Sequence, residues 1–127
     1  MGTGLQNTVY DAEITVTQSA SGTFAAAIQL QGANGEDLTQ RGAVDFYVST
    51  DAEGDDLATT STDITSLAIG NDGVAIELSS NVAGKLISES DGDIDLAIVV
   101  PDSKEVYLIL VMPDGRLIPS DAMTYGM

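Results

Sequence analysis

The residues of this sequence best suited to chemistry are carboxylates, and they are densest in the segment 89–96, ESDGDIDL. Carboxylate oxygens are preferred calcium ligands, so the segment is either a metal-binding loop or a turn that opens a β-strand. An EF-hand loop needs acidic residues at alternate positions, Gly at the sixth and Glu at the twelfth. Here Gly92 directly follows Asp91, and the twelfth residue counted from Asp91 is Asp102. The EF-hand template therefore does not fit.

The residues after Gly92 alternate as a half-buried strand does, with Asp93 and Asp95 on one face and apolar residues on the other. We therefore predict a turn followed by a strand, and no metal site. A looser calcium site, built from several turns at one end of the fold, stays open as an alternative. Its candidate ligands are Asp91, Asp93 and Asp55, which Asp51, Glu53 and Asp56 could join.

The composition argues against most kinds of catalysis and against several partners. The 127 residues include no Cys, His or Trp, which removes thiol chemistry, Cys/His zinc sites and histidine acid–base catalysis. Twenty acidic and four basic residues give a net charge of −16, which disfavours nucleic acid and anionic membranes as partners. Neither Lys85 nor Lys104 belongs to a motif that pairs a lysine base with a catalytic serine. We expect no enzyme activity, no catalytic residues and no cofactor.

Apolar and polar residues alternate along most of the chain, which is typical of β-strands with one buried face. Turn signals such as Asp91-Gly92 and Pro113-Asp114-Gly115 separate the alternating segments. The pattern predicts an all-β protein, an antiparallel two-sheet β-sandwich of the Ig-like type with about seven or eight strands. The segment 51–66 has no clear period and is predicted to be a long loop or a short edge element. Strands are predicted in 9–17, 23–31, 41–51, 73–80, KLISES, DIDLAIVV, EVYLILVM and RLIPSDAMTY.

The segment EVYLILVM differs from the other strands because both of its faces are apolar. The second face carries Tyr107, Ile109 and Val111, which an antiparallel sandwich would ordinarily leave wet. Two explanations stay open: a loop or the amino-terminal segment covers this face, or the face is a subunit interface. Tyr107, Ile109 and Val111 are therefore candidate protein-interface residues.

The sequence predicts two parts, a flexible N-terminal arm at 1–8 and a single β-sandwich domain at 9–127. The arm, MGTGLQNT, is polar and Gly-rich and has neither the basic nor the apolar region of an export signal. The longest apolar run, Val106 to Met112, is too short to span a bilayer as a helix. We expect a protein made in the cytoplasm.

Three segments carry a resemblance to small Ig-like β-sandwich proteins of tailed bacteriophage virions. They are Arg41–Gly54 with its pattern R-x-x-x-x-F-x-x-S-x-D-x-x-G, the acidic turn Ser88–Asp95, and the hairpin Tyr107–Arg116 with Y-L-x-L-V-x-P-D-G-R. They fall within the part of the chain from about residue 41 onward.

The resemblance implies a capsid decoration (cement) protein, which binds the outer surface of the head shell and stabilises it. It implies the major capsid protein as partner, assembly as a homotrimer and a place in the virion. Under this reading the arm orders against the shell, with Leu5 as its candidate contact. The alternatives are a head-fibre, neck or tail component, or a calcium- or carbohydrate-binding adhesin module.

Overall fold

The computed structural model describes residues 9–125, and these form two antiparallel β-sheets packed face to face. One sheet has four strands in the order β1-β2-β7-β4, and the other has six, in the order β10-β8-β3-β6-β5 with β9 also paired to β8. The strands are β1 (Asp11–Ala20), β2 (Thr23–Gln31), β3 (Ala43–Ser49), β4 (Ser66–Ile69), β5 (Val74–Ser79), β6 (Ala83–Ile87), β7 (Asp93–Val99), β8 (Glu105–Val111), β9 (Leu117–Pro119) and β10 (Met123–Thr124).

The predicted all-β sandwich is confirmed, and no helix occurs between residues 9 and 125. The predicted count of seven or eight strands was too low, because the structure has ten. One of the two strands beyond the eight predicted segments arises where Pro119, which has no N–H to donate, ends β9 and leaves β10 as a separate short strand. The other is β4, which begins at the last residue of the segment 51–66.

The core lies between the sheets and is built from the alternating residues that the sequence pattern placed on one face. In the four-stranded sheet, Ile28 of β2 pairs with Ile94 of β7, and both are buried. In the six-stranded sheet, Phe46 of β3 pairs with Leu110 of β8, and both are buried as well. Covering such side chains stabilises the fold by about 1.5–3 kcal/mol each.

The acidic segment 89–96 is a turn that leads into β7, as its alternation predicted. The Gly92 N–H donates to the Glu89 carbonyl at 3.0 Å, and the Leu30 N–H donates to the Gly92 carbonyl at 2.9 Å. Gly92 has a φ of +83°, a backbone conformation that residues other than glycine rarely adopt. Asp93 then begins β7.

The Ser120 side chain accepts a hydrogen bond from β8 just beyond the end of the short strand β9. Its Oγ accepts from the buried Leu108 N–H at 2.9 Å and donates to the Asp121 carbonyl, also at 2.9 Å. We expect Ser120→Ala to lower the free energy of unfolding by about 1–3 kcal/mol, because the Leu108 N–H loses this acceptor. Urea denaturation measures the change, with the exposed Ser21→Ala as control; equal stability of the two variants would contradict this role.

Candidate functional site

The outer face of the six-stranded sheet carries the candidate interface residues. We use "outer face" for the side chains of β3, β5, β6, β8 and β9 that point away from the core. In this register Tyr47 of β3 lies opposite Ile109 of β8, and Ile109 lies opposite Pro119 of β9. Val111 lies opposite Leu117 one pair further along. This face is therefore continuous from β3 to β9.

A loop at 50–57 folds back over part of the outer face. The Tyr47 hydroxyl donates to the Gly54 carbonyl at 2.7 Å. A Cβ added at Gly54 would meet that hydroxyl at 2.6 Å and Leu117 Cδ1 at 3.5 Å. Because Tyr47 and Leu117 lie on the two strands that flank Ile109, we infer that the loop covers Ile109 between them.

The structure separates the three candidate residues of β8. Ile109 is 0% exposed, although it lies outside the main core, so it offers no surface to a partner. Tyr107 and Val111 are half-buried and keep accessible surface. The loop explanation therefore accounts for Ile109, while an interface at Tyr107 and Val111 stays a prediction. Leu5 and the predicted arm at 1–8 lie outside the described residues.

Among residues 9–125, most large apolar side chains that remain exposed lie on or next to the six-stranded sheet. Leu78 of β5 is 85% exposed, and Ile76 two residues earlier is 50% exposed. Exposed apolar side chains of this size are candidates for protein–protein contact. The members on or next to the six-stranded sheet are Leu57, Val74, Ile76, Leu78 and Leu117.

The charge of the outer face differs between its two ends. At one end Lys85 Nζ lies 2.8 Å from Asp45 Oδ1, so the two charges balance. At the other end the Tyr107 hydroxyl donates to Glu105 at 3.1 Å. Partial burial, this hydrogen bond and the nearby carboxylates of Glu105, Glu53 and Asp51 raise the pKa of Tyr107. The Tyr107 end is therefore acidic and suits a basic partner surface.

The candidate metal ligands do not all come together. Asp93 lies with Asp72 and Asp95, and one carboxylate oxygen from each lies within 4.8 Å of the others. Asp55 belongs to the loop that follows β3, where its N–H donates to Asp51 Oδ1 at 2.9 Å. The Asp93 turn lies near the other end of β3. Ser88, just before this turn, accepts a hydrogen bond through its Oγ from the N–H of Gly42, which directly precedes β3, at 2.9 Å.

Two carboxylates of the Asp72–Asp93–Asp95 cluster, those of Asp93 and Asp95, have raised pKa values. Burial, a side-chain hydrogen bond with Asp72 and the charges of Asp95, Asp72 and Asp91 raise the pKa of Asp93 to about 6. Burial and Asp72 also raise the pKa of Asp95. Carboxylates this close can share a proton, or a bound cation can balance their negative charges.

The raised pKa of Asp93 fixes the direction of a pH dependence. Between the ordinary pKa of 3.8 and about 6, the folded chain binds more protons at this site than the unfolded chain. This site's contribution to stability therefore falls as the pH rises through that window. We expect Asp93→Asn to raise the melting temperature at pH 7.5 by about 2–5 °C, and to change it less at pH 4.

The control for Asp93→Asn is Glu36→Gln, which makes the same change of net charge at an exposed position. If both variants raise the melting temperature equally at pH 7.5, the effect comes from net charge and the carboxylates of the cluster do not destabilise the fold by repelling one another.

A calcium titration of the wild type tests whether the cluster binds a metal ion. A melting temperature that rises no more with millimolar calcium than with magnesium excludes specific calcium binding.

Sequence reasoning did not connect Asp72 with this cluster. Asp93 and Asp95 share a strand face, and that spacing was visible in the sequence. Asp72 was visible only as part of an Asn-Asp-Gly turn, and the β4–β5 connection brings it to β7 through the Asp95 N–H bond to the Asp72 carbonyl at 2.9 Å.

Comparisons with known proteins identify no relative. No protein family, no curated protein and no solved structure matches this chain. Over residues 9–125 there is also no helix of the length and apolar character needed to cross a membrane.

Proposed function

We propose that this protein is a non-enzymatic structural component of a bacteriophage virion, namely a capsid decoration protein on the outer surface of the head shell. Its partner would be the major capsid protein, and it would assemble as a homotrimer after synthesis in the host cytoplasm. The proposal starts from the resemblance of the segments Arg41–Gly54, Ser88–Asp95 and Tyr107–Arg116 to phage sandwich proteins.

The observation that carries a binding role is the exposed apolar surface on the six-stranded sheet. Val111 and Leu117 are paired neighbours on the outer face, and Leu117 is 42% exposed. Covering water-exposed apolar side chains of this size with a partner surface stabilises the complex. Tyr107 with its surrounding carboxylates lies at the edge of the same surface, so the docking site on the shell should combine apolar and basic residues.

The proposal is tested on phage particles produced by cells that carry the gene for this protein. Particles purified from a lysate should contain the protein in a fixed ratio to the major capsid protein, as measured by mass spectrometry. Heads assembled without the gene should break at lower temperature, and adding the purified protein back should restore their resistance. Particles that lack the protein, or heads that gain nothing from it, would overturn the proposal.

Location on the particle separates this proposal from a head-fibre, neck or tail component. Antibody-gold labelling over the whole head surface supports decoration. Labelling confined to the neck or tail supports the other component instead.

A further inference from the structure

Strand β5 (Val74–Ser79) leaves one side of its backbone open. It pairs with β6 on one side and ends the six-stranded sheet on the other, where no strand of residues 9–125 joins it. Its outward backbone N–H and C=O groups can therefore template a further strand. A bulge between Glu77 and Ser79 ends the regular pairing, which leaves Val74 to Glu77 as the even stretch.

Natural edge strands are usually protected by charges, proline or a covering segment. Strand β5 has little of this protection, since Glu77 is its one charged residue. Val74 is 46% exposed and Ile76 is 50% exposed on the outer face. In a chain with 20 acidic residues, this charge-poor and apolar edge is a local exception.

A groove runs beside this open edge. It has a volume of about 330 Å³ and lies between β5 and β4, the edge strands of the two sheets. An added strand would place alternate side chains into this groove and the others beside Val74 and Ile76. The groove is lined by Leu67, Ala68, Ile69, Ala75 and Glu77.

Glu77 decides which occupant fits. Two copies paired antiparallel about Ile76 would set each Glu77 opposite Ala75 of the other copy, with both carboxylates on the groove side. Like charges at such a distance repel, and two chains that each carry −16 repel further. A strand with a lysine or arginine near Glu77 instead forms an ion pair there. Charge therefore favours a basic partner over a second copy.

We propose that the open edge of β5 binds an extended polypeptide segment of a partner protein by strand addition. The segment carries apolar residues toward Leu67 and Ile69 and a basic residue opposite Glu77. Backbone hydrogen bonds along Val74–Glu77 supply affinity, and the ion pair with Glu77 selects the segment. This inference does not rest on the virion proposal and holds for any partner with such a segment.

The test uses two blocked seven-residue peptides. The first has leucine at its second and sixth positions, lysine at its fourth, and threonine or valine elsewhere; the second has glutamate at its fourth position. Amide hydrogen exchange measured by NMR locates binding, and titration gives the affinities. We expect the lysine peptide to slow exchange of the β5 amides by about tenfold or more, and to bind about tenfold tighter than its glutamate twin.

Two variants assign the preference to Glu77. Glu77→Lys should reverse it in favour of the glutamate peptide. Glu77→Gln should reduce it to the weak preference that the remaining net charge of the chain produces, while keeping an acceptor for the Asn81 N–H, which lies 3.3 Å from Glu77 Oε2. The proposal is overturned if the lysine peptide leaves β5 unprotected, or if Glu77→Gln keeps the full preference. Protection of β5 that grows with protein concentration alone would make a second copy the occupant and would also overturn it.

Discussion

Truncation of Ile109 to alanine should lower the free energy of unfolding of the isolated chain by about 2–5 kcal/mol. Ile109 is 0% exposed and lies between Tyr47 and Pro119 of the neighbouring strands, and we infer that the loop at 50–57 covers it. Removing its three outer carbons leaves a cavity that the hydrogen bond from Tyr47 to Gly54 keeps from collapsing. Urea denaturation of the purified chain measures the change.

Val111→Ala is the matched control, because Val111 lies on the same face of the same strand but is only half-buried. Its cost should be about 1 kcal/mol or less. If Ile109→Ala costs no more than Val111→Ala, the loop does not shield Ile109. An interface between subunits would then have to provide the cover.

Gly92→Ala is the second substitution expected to have a large effect, at about 2–4 kcal/mol. Its φ of +83° strains any residue that has a Cβ. The added Cβ would also lie 2.9 Å from the Leu30 carbonyl oxygen and 2.8 Å from Gln29 Nε2. Because Gln29 Nε2 also donates to the Asp91 carbonyl at 2.8 Å, the turn that starts β7 would shift.

Gly115→Ala separates the two causes, since Gly115 has a φ of +93° but open space around its Cα. It should cost only the backbone strain, about 1–2 kcal/mol. Thermal and urea unfolding of both variants give the comparison. Equal costs at the two positions would mean that the close contacts at Gly92 are relieved without loss.

The sequence predicts the strands well because each one repeats a local pattern. Phe24, Ile28 and Leu30 recur at even spacing in β2, and all are buried. The turn at Gly92 was predictable for the same reason, since turn chemistry depends on neighbouring residues.

Features that depend on the pairing of distant segments could not be predicted. The inferred cover over Ile109 is the loop at 50–57, whose sequence has no regular period and which folds back so that Gly54 accepts a hydrogen bond from Tyr47. Strand β5 was predicted as a strand, but its place at the sheet edge is a property of topology, so the exposure of Ile76 and Leu78 was not foreseen. The burial of Ile109 likewise could not be told apart from an interface by periodicity alone.

Hydroxyl-radical footprinting of the protein, free and co-sedimented with heads that lack it, is the most direct test of whether the six-stranded sheet docks on the shell. We predict that Tyr107 and Leu117 are oxidised several-fold more slowly on the heads, while Tyr125, which is 36% exposed and lies beside Gly22 in the β1–β2 turn, reacts equally in both. Equal oxidation of Tyr107 and Leu117 in the two samples, or failure of the protein to sediment with the heads, would contradict it.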